Sequence, residues 1–303
     1  MFHDFTYPAV LAASHRAAWE IDDVLPPGAQ LDFSRPFLPE ALARIGGLPG
    51  LSAAERLALN HIRGHEYLAI FGLVEEFILP FLLDHLKDHG KGEDERIRAL
   101  LQFATEEAKH IHLFKRFHET FVAAFPVRCE VIGPAEEIAA KVLGHAPLSV
   151  ALAILQIEWM TQQHYLDSIR DDAGIDPLFA SLLRHHWMEE AQHAKLDTLI
   201  VEALAADLSA DEVEAAVEGY LAIGMFLDAG LKGQTELNLA AFERVAGRTL
   251  DSAAREAFLA GQHQALRWTY LGSGMTHPKF LATLSALSPT LRERIEAIAP
   301  AFC

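Results

Sequence analysis

The pattern Glu-x-x-His occurs twice in this chain, at Glu107–His110 and at Glu190–His193, each time within a long stretch of helical hydrophobic spacing. Residues three positions apart share one face of an α-helix, so each copy presents a carboxylate beside an imidazole. Two copies on alternate helices are typical of four-helix bundles that hold a pair of metal ions. The chain is therefore predicted to be all-α, with a four-helix bundle wrapped by further helices at both ends.

Strand signals are scarce, whereas apolar residues recur at three-and-four spacing throughout the chain. The capping box Ser52-Ala-Ala-Glu55 begins the first bundle helix, because its hydroxyl and its carboxylate each satisfy a free backbone amide. The four predicted bundle helices span about residues 53–88, 93–125, 148–170 and 177–206. Turns at Gly90-Lys91-Gly92 and at Gly174 join them into two antiparallel hairpins. A second capping box begins at Ser209.

All 303 residues are predicted to form a single all-α domain with three parts. The proline-rich residues 1–50 form an N-terminal arm with short helices. Residues 51–206 are the metal-binding four-helix core, and residues 207–303 form additional helices that pack on this core. The stretch Gly272-Ser-Gly274 is predicted to break a helix and not to bind phosphate, since no strand precedes it.

A metal-binding bundle of this kind requires one further glutamate from each of its other two helices. Glu158 lies in an otherwise apolar part of the third helix, and Glu75 and Glu76 lie in an apolar part of the first. An ionised carboxylate without a partner is strongly disfavoured in such surroundings, and a metal pair removes that penalty.

The candidate ligands repeat between the two hairpins at an offset of 83 positions. The pairs related by this offset are Glu75 and Glu158, Glu107 and Glu190, and His110 and His193. A pseudo-twofold site requires such a repeat, so Glu75 is predicted as the ligand of the first helix, with Glu76 as the alternative. Glu66 fits less well, because it lies about 13 Å further along the helix.

His186 lies one helical turn before Glu190 and shares its face, whereas the position related by the offset is Phe103, which cannot bind a metal. His186 is therefore predicted as a seventh ligand on one of the two ions. The predicted ligands are Glu75, Glu107, His110, Glu158, His186, Glu190 and His193. Carboxylates and imidazoles without thiolates suit two iron ions, with manganese as the alternative.

Glu106 and Glu189 immediately precede two of the predicted ligands and point about 100° away from them. One hypothesis is that each accepts a hydrogen bond from a ligand imidazole of the neighbouring hairpin. The alternative is that both lie on a solvated helix face.

The formal net charge of −17 makes nucleic acid and anionic membranes unsuitable partners. The most apolar run, residues 67–83, contains two glutamates and Pro80, so no membrane span is predicted. With two cysteines and no basic-then-apolar leader, a cytoplasmic location is expected. The apolar composition and the acidic surface are compatible with a homodimer.

The ligand motifs resemble those of the non-haem di-iron N-oxygenases typified by para-aminobenzoate N-oxygenase. His186-Trp-Met-Glu-Glu190-Ala-Gln-His193 matches the His-x3-Glu-x2-His motif on the last ligand helix of that family, and Glu107-Ala-Lys-His110 matches its earlier Glu-x2-His motif. Val74-Glu75-Glu76-Phe77 and Ile157-Glu158 match its two single-glutamate helices. The resemblance covers about residues 50–245. Glu106 and Glu189 stand where related di-iron proteins often have aspartate.

This resemblance implies a ferritin-like bundle and an oxygenase that uses O2 as co-substrate at a di-iron site. It also implies N-oxygenation of an arylamine or related small amine. No flavin or nicotinamide motif is present, so electrons are expected from an external reductase or other donor.

Two other functions remain open from the sequence. A di-iron desaturase or hydroxylase acting on a carrier-bound or lipid-like chain would use the same six symmetric ligands, so His186 distinguishes it from an N-oxygenase. A ferritin-like iron-binding protein fits less well, because this chain has about a hundred residues beyond the helices that such a protein needs.

Overall fold

The computed structural model describes residues 3–89 and 94–303, which form helices and connecting loops without a strand among them. The helices span Tyr7–Ala17 (α1), Ile21–Val24 (α2), Glu40–Ala43 (α3), Ala53–His89 (α4), Asp94–Ala124 (α5), Ala135–Leu143 (α6), Pro147–His164 (α7), Pro177–Ala205 (α8), Ala210–Ala246 (α9), Ser252–Arg267 (α10), Ser273–Met275 (α11), Pro278–Leu287 (α12) and Pro289–Ile298 (α13). The all-α prediction is confirmed. The predicted turn at Gly90-Lys91-Gly92 lies outside the described residues.

Helices α4, α5, α7 and α8 form a four-helix bundle. Helix α4 packs on α5 and α7 packs on α8 as two hairpins, and α5 also contacts α8 between the hairpins. Both predicted capping boxes are present: the Ser52 amide donates to the Glu55 carboxylate at 2.8 Å, and the Ser209 amide donates to Glu212 at the same distance. These caps satisfy amides that would otherwise lack partners at the beginning of α4 and α9.

The remaining helices cover opposite sides of the bundle. In the N-terminal arm, α1 packs on α5 and α8, whereas α9 packs on α4 and α7. Arg63 of α4 connects the N-terminal arm to α10, because its guanidinium donates hydrogen bonds to the Leu42 carbonyl of the arm and to the Gln262 side chain of α10. From these contacts we infer that the chain is one domain.

The predicted helix break at Gly272-Ser-Gly274 is wrong. The backbone continues from α10 through a π-helical turn at Trp268–Gly272 directly into α11. A Cβ atom on Gly274 would lie 2.5 Å from the backbone oxygen of Gln156 in α7. The glycine therefore lets α11 approach α7 closely instead of ending the helix.

Within the described residues 3–89 and 94–303, none of the helices combines the length and the apolar composition that a membrane crossing requires.

Candidate metal centre

The seven predicted ligands all lie in the interior of the four-helix bundle. Helix α4 contributes one of them, α5 two, α7 one and α8 three. Each is 3% exposed or less. Helical spacing directs these side chains inward, because the residues on each helix that share their face are mostly apolar and pack in the core.

Four of these side chains form a first group, consisting of Glu75, His110, His186 and Glu190, whose facing atoms all lie within 4.8 Å of one another. The Nε2 atom of His186 is 3.0 Å from Glu75 Oε1 and 2.8 Å from Glu190 Oε1. The Nδ1 atom of His110 is 3.0 Å from Glu190 Oε1 and 3.7 Å from Glu75 Oε1. The group thus joins residues of three helices around one point.

A second group consists of Glu107, His110, Glu190 and His193, within the same 4.8 Å limit. Here the Nδ1 atom of His193 is 2.8 Å from Glu107 Oε1 and 3.3 Å from Glu190 Oε2. His110 and Glu190 belong to both groups, so the two groups adjoin. Glu190 directs Oε1 toward the first group and Oε2 toward the second, which is the arrangement that a bridging carboxylate requires.

The donor atoms of the two groups fit a pair of cations. Several of them are buried without a hydrogen-bond partner among the described residues, although they lie close to one another. These atoms are Glu75 Oε2, Glu107 Oε1 and Oε2, His110 Nδ1, Glu158 Oε2, Glu190 Oε1 and His193 Nδ1. Buried polar atoms are otherwise nearly always paired. Two ligands at right angles and about 2.1 Å from one ion would be about 3 Å apart, close to most of the separations found here.

Glu158 lies outside both groups, and its carboxyl contacts Glu190. Burial and the charge of Glu190 raise the pKa of Glu158 well above its ordinary value, and the side-chain contact with Glu190 raises it further. Burial opposes ionisation of Glu190, but the charges of His186 and His193 outweigh it and hold its pKa well below the ordinary value. That Glu158 binds metal stays a prediction.

The same cluster shifts the pKa values of its other titratable groups. Burial and the charge of Glu107 raise the pKa of Glu75 to about 8. Burial disfavours the protonated form of His110, but the carboxylates of Glu189 and Glu190 outweigh this and raise its pKa to about 10. Cations and protons therefore compete for the same carboxylates and imidazoles, so metal binding is expected to depend on pH.

The structure separates Glu75 from its neighbours in sequence. Glu76 points away from the cluster, is about a third exposed, and forms an ion pair with Lys115 at 3.1 Å. Glu66 is buried in a different network, where its carboxylate lies 3.0 Å from the Arg63 guanidinium. Only Glu75 of these three candidate residues reaches the first group.

Glu106 and Glu189 form the hydrogen bonds proposed from the sequence. The Nε2 atom of His110 is 2.8 Å from Glu189 Oε2, and the Nε2 atom of His193 is 2.9 Å from Glu106 Oε2. Each bond joins one hairpin to the other, and both glutamates are 1% exposed or less, so the solvated-face alternative is wrong. With Nε2–H donated outward, both imidazoles present Nδ1 to the centre.

Trp19 and Lys109 are among the residues that contact this arrangement and that the sequence did not predict. The Trp19 ring of the N-terminal arm stacks on His110, with ring centres 5.8 Å apart and planes 11° apart. Lys109 Nζ lies 3.9 Å from the centre of the Trp19 ring and 2.5 Å from Glu189 Oε1. No sequence pattern indicates these contacts, because Trp19 and Lys109 are 90 positions apart.

Replacing Glu106 or Glu189 with alanine is expected to weaken metal binding by about 10- to 100-fold, because the partner imidazole loses the acceptor that orients it. Competitive titration with a metal-sensitive dye would measure this affinity. Glu76→Ala is the matched control, since it removes a glutamate that faces solvent beside the site. Equal affinities for all three variants would contradict an orienting role.

Comparison with known proteins places the chain in a family. Residues 12–255 match the family model described as P-aminobenzoate N-oxygenase AurF. No curated protein matches the chain. Among solved structures, a valine-to-isoleucine variant of an R2-like ligand-binding oxidase with aerobically reconstituted Mn/Fe cofactor aligns over 86% of this chain and 92% of that chain, with 15% identity and a TM-score of 0.44.

A glycine-to-leucine variant of the R2-like ligand-binding oxidase, with aerobically reconstituted Fe/Fe cofactor, aligns over 87% of this chain and 96% of that chain, with 15% identity and a TM-score of 0.42. The family match, in contrast, covers most of the 303 residues, including all seven predicted ligands. The chain therefore belongs to the P-aminobenzoate N-oxygenase AurF family, and the protein is an oxidoreductase of the oxygenase class.

Proposed function

We propose that this protein is an O2-activating non-haem di-iron oxygenase that N-oxygenates an arylamine or a related small amine. The observation that carries the proposal is the pair of adjoining carboxylate–imidazole groups that share His110 and Glu190. We assign metal binding to all seven predicted ligands, with iron as the metal and manganese as the alternative. An external reductase, a cytoplasmic location and a homodimer remain predictions.

Two bound iron ions would supply the redox chemistry that reduces O2. The residues of the chain hold and shield that chemistry. Glu106 and Glu189 keep the ligand imidazoles in one tautomer through their hydrogen bonds. Apolar rings exclude water: Phe103 stacks on His193 at 4.0 Å, and Phe114 packs edge-on against His186 at 5.1 Å.

His186 favours N-oxygenation over the desaturase or hydroxylase alternative, since it lies within the first group as a ligand beyond the six symmetric ones. The test uses protein loaded with ferrous ion, supplied with a chemical reductant and exposed to isotopically labelled O2 with aniline or its para-substituted derivatives. We expect labelled oxygen on the nitrogen of the product, detected by mass spectrometry. Labelled oxygen on a carbon atom of the product would favour a hydroxylase. A product that has lost two hydrogens and carries no label would favour a desaturase.

His186→Ala is expected to lower both the metal content and the yield of N-oxygenated product, because the first group loses one of its four donors. The metal affinity of His186→Ala should fall by about 10-fold or more, at least as much as on loss of a residue that orients a ligand. His112→Ala, which removes an exposed histidine from α5, is the control. Unchanged metal content and reactivity in His186→Ala would count against the N-oxygenase assignment.

A further inference from the structure

A cavity of about 880 Å³ lies among helices α4, α6, α7 and α9, beside the candidate metal centre. A cavity of about 150 Å³ is enough to hold one benzene ring. The space here is therefore several times larger than a single aromatic ring requires. It falls within the range of about 300–1,000 Å³ that is usual for small-molecule sites.

The inner wall of the cavity is also the outer wall of the metal centre. Phe71 lines the cavity, and its ring packs edge-on against the His186 ring with centres 5.5 Å apart. Val74 and Ile157 line it as well, and each directly precedes a predicted ligand in the sequence. A molecule in this cavity is therefore separated from the ligands by a single layer of side chains.

The walls offer almost nothing polar to a bound molecule. Among the described residues that line the cavity, only Glu137 and Lys141 of α6 carry a charge, and both are exposed. The Tyr270 hydroxyl is already used, since it donates a hydrogen bond to Glu66 at 2.9 Å. An anionic group taken deep into this cavity would lose its hydration without gaining a partner.

On the basis of the proposed function, we propose that this cavity binds the amine substrate, and that the substrate is an uncharged amine with a large apolar body. A small arylamine with a carboxylate, such as para-aminobenzoate, does not match the walls. Apolar contact area would supply the affinity, and the two charged residues would remain at the solvent side.

Binding of para-substituted anilines to the metal-free protein, measured by isothermal titration calorimetry, tests the substrate class. From aniline to para-butylaniline to para-hexylaniline, we expect affinity to rise about fourfold for each added methylene. Para-aminobenzoate is expected to bind about tenfold or more weaker than para-butylaniline. Affinity that does not depend on chain length, or tight binding of para-aminobenzoate, would overturn the proposal.

Two glycines of α9 allow the location to be tested. Gly233 lines the cavity, Gly224 does not, and a Cβ atom on either would meet no atom within 4 Å. We expect Gly233→Phe to weaken para-butylaniline binding by about tenfold or more, because it adds an aromatic ring to the cavity wall, while Gly224→Phe leaves binding unchanged. Circular dichroism verifies that both variants fold. Gly230→Leu, a second substitution in the cavity wall, is expected to act like Gly233→Phe.

These outcomes separate the cavity from the chemistry, because binding is measured without metal or O2. If Gly233→Phe, Gly224→Phe and Gly230→Leu all bind para-butylaniline as the unmodified protein does, the cavity is not the substrate site. That conclusion would hold even if the enzyme N-oxygenates amines. Binding that responds as expected, in a protein that yields no N-oxygenated product, would support the cavity and contradict the proposed function.

Discussion

We expect the Glu190→Ala variant to lose both metal ions rather than only one of the two. Glu190 is one of two residues shared by the two groups, and its two oxygens face different groups. Removing its carboxylate takes a donor from each ion at once. The affinity for iron should fall by about tenfold or more, since loss of even an orienting neighbour weakens metal affinity by 10- to 100-fold. Elemental analysis after loading with ferrous ion and desalting measures how much iron the variant retains.

Single-group variants provide the comparison. Glu75 belongs only to the first group and Glu107 only to the second, so alanine at either position should mainly weaken one ion. Glu76→Ala, which removes a partly exposed carboxylate beside Glu75, should retain both ions. A Glu190→Ala protein that still binds one ion at full occupancy would show that this carboxylate is not shared.

Arg63→Met is expected to destabilise the protein by about 3–5 kcal/mol, because it leaves the Glu66 carboxylate buried without its ion-pair partner. Both side chains are completely buried, with Arg63 Nε 3.0 Å from Glu66 Oε2. The carboxylate also accepts hydrogen bonds from Asn238 and Tyr270, and these cannot replace a charge. The free energy of unfolding from urea denaturation measures the effect.

A matched pair of controls isolates the buried charge. Arg292→Met breaks an exposed ion pair with Glu296 and should change stability by about 0.5 kcal/mol or less. The double variant Arg63→Met/Glu66→Gln should be more stable than Arg63→Met alone, because no unpaired charge remains. A double variant no more stable than the single one would assign the loss to packing and to the Leu42 and Gln262 contacts instead.

Local spacing was enough to predict the four bundle helices and which faces they turn inward. Helical periodicity depends on neighbours three and four positions away, and capping depends on neighbours three away, so both can be recognised from one stretch of sequence. Local spacing did not separate Glu75 from Glu76, and the prediction of Glu75 came from the 83-position offset between the hairpins. Adjacent side chains differ by about 100° around the helix, and only the packing of α4 on α5 sets that rotation.

An all-α bundle, its two hairpins and a repeated set of inward carboxylates and imidazoles could be predicted from the sequence, because helix geometry relates residues that are near in the chain. The packing of the helices was needed to show that Glu190 is shared between two groups and that Trp19 stacks on His110. The same packing shows that Gly272-Ser-Gly274 continues a helix and that a large apolar cavity adjoins the metal centre. These features join side chains far apart in sequence, and their distances depend on how whole helices pack.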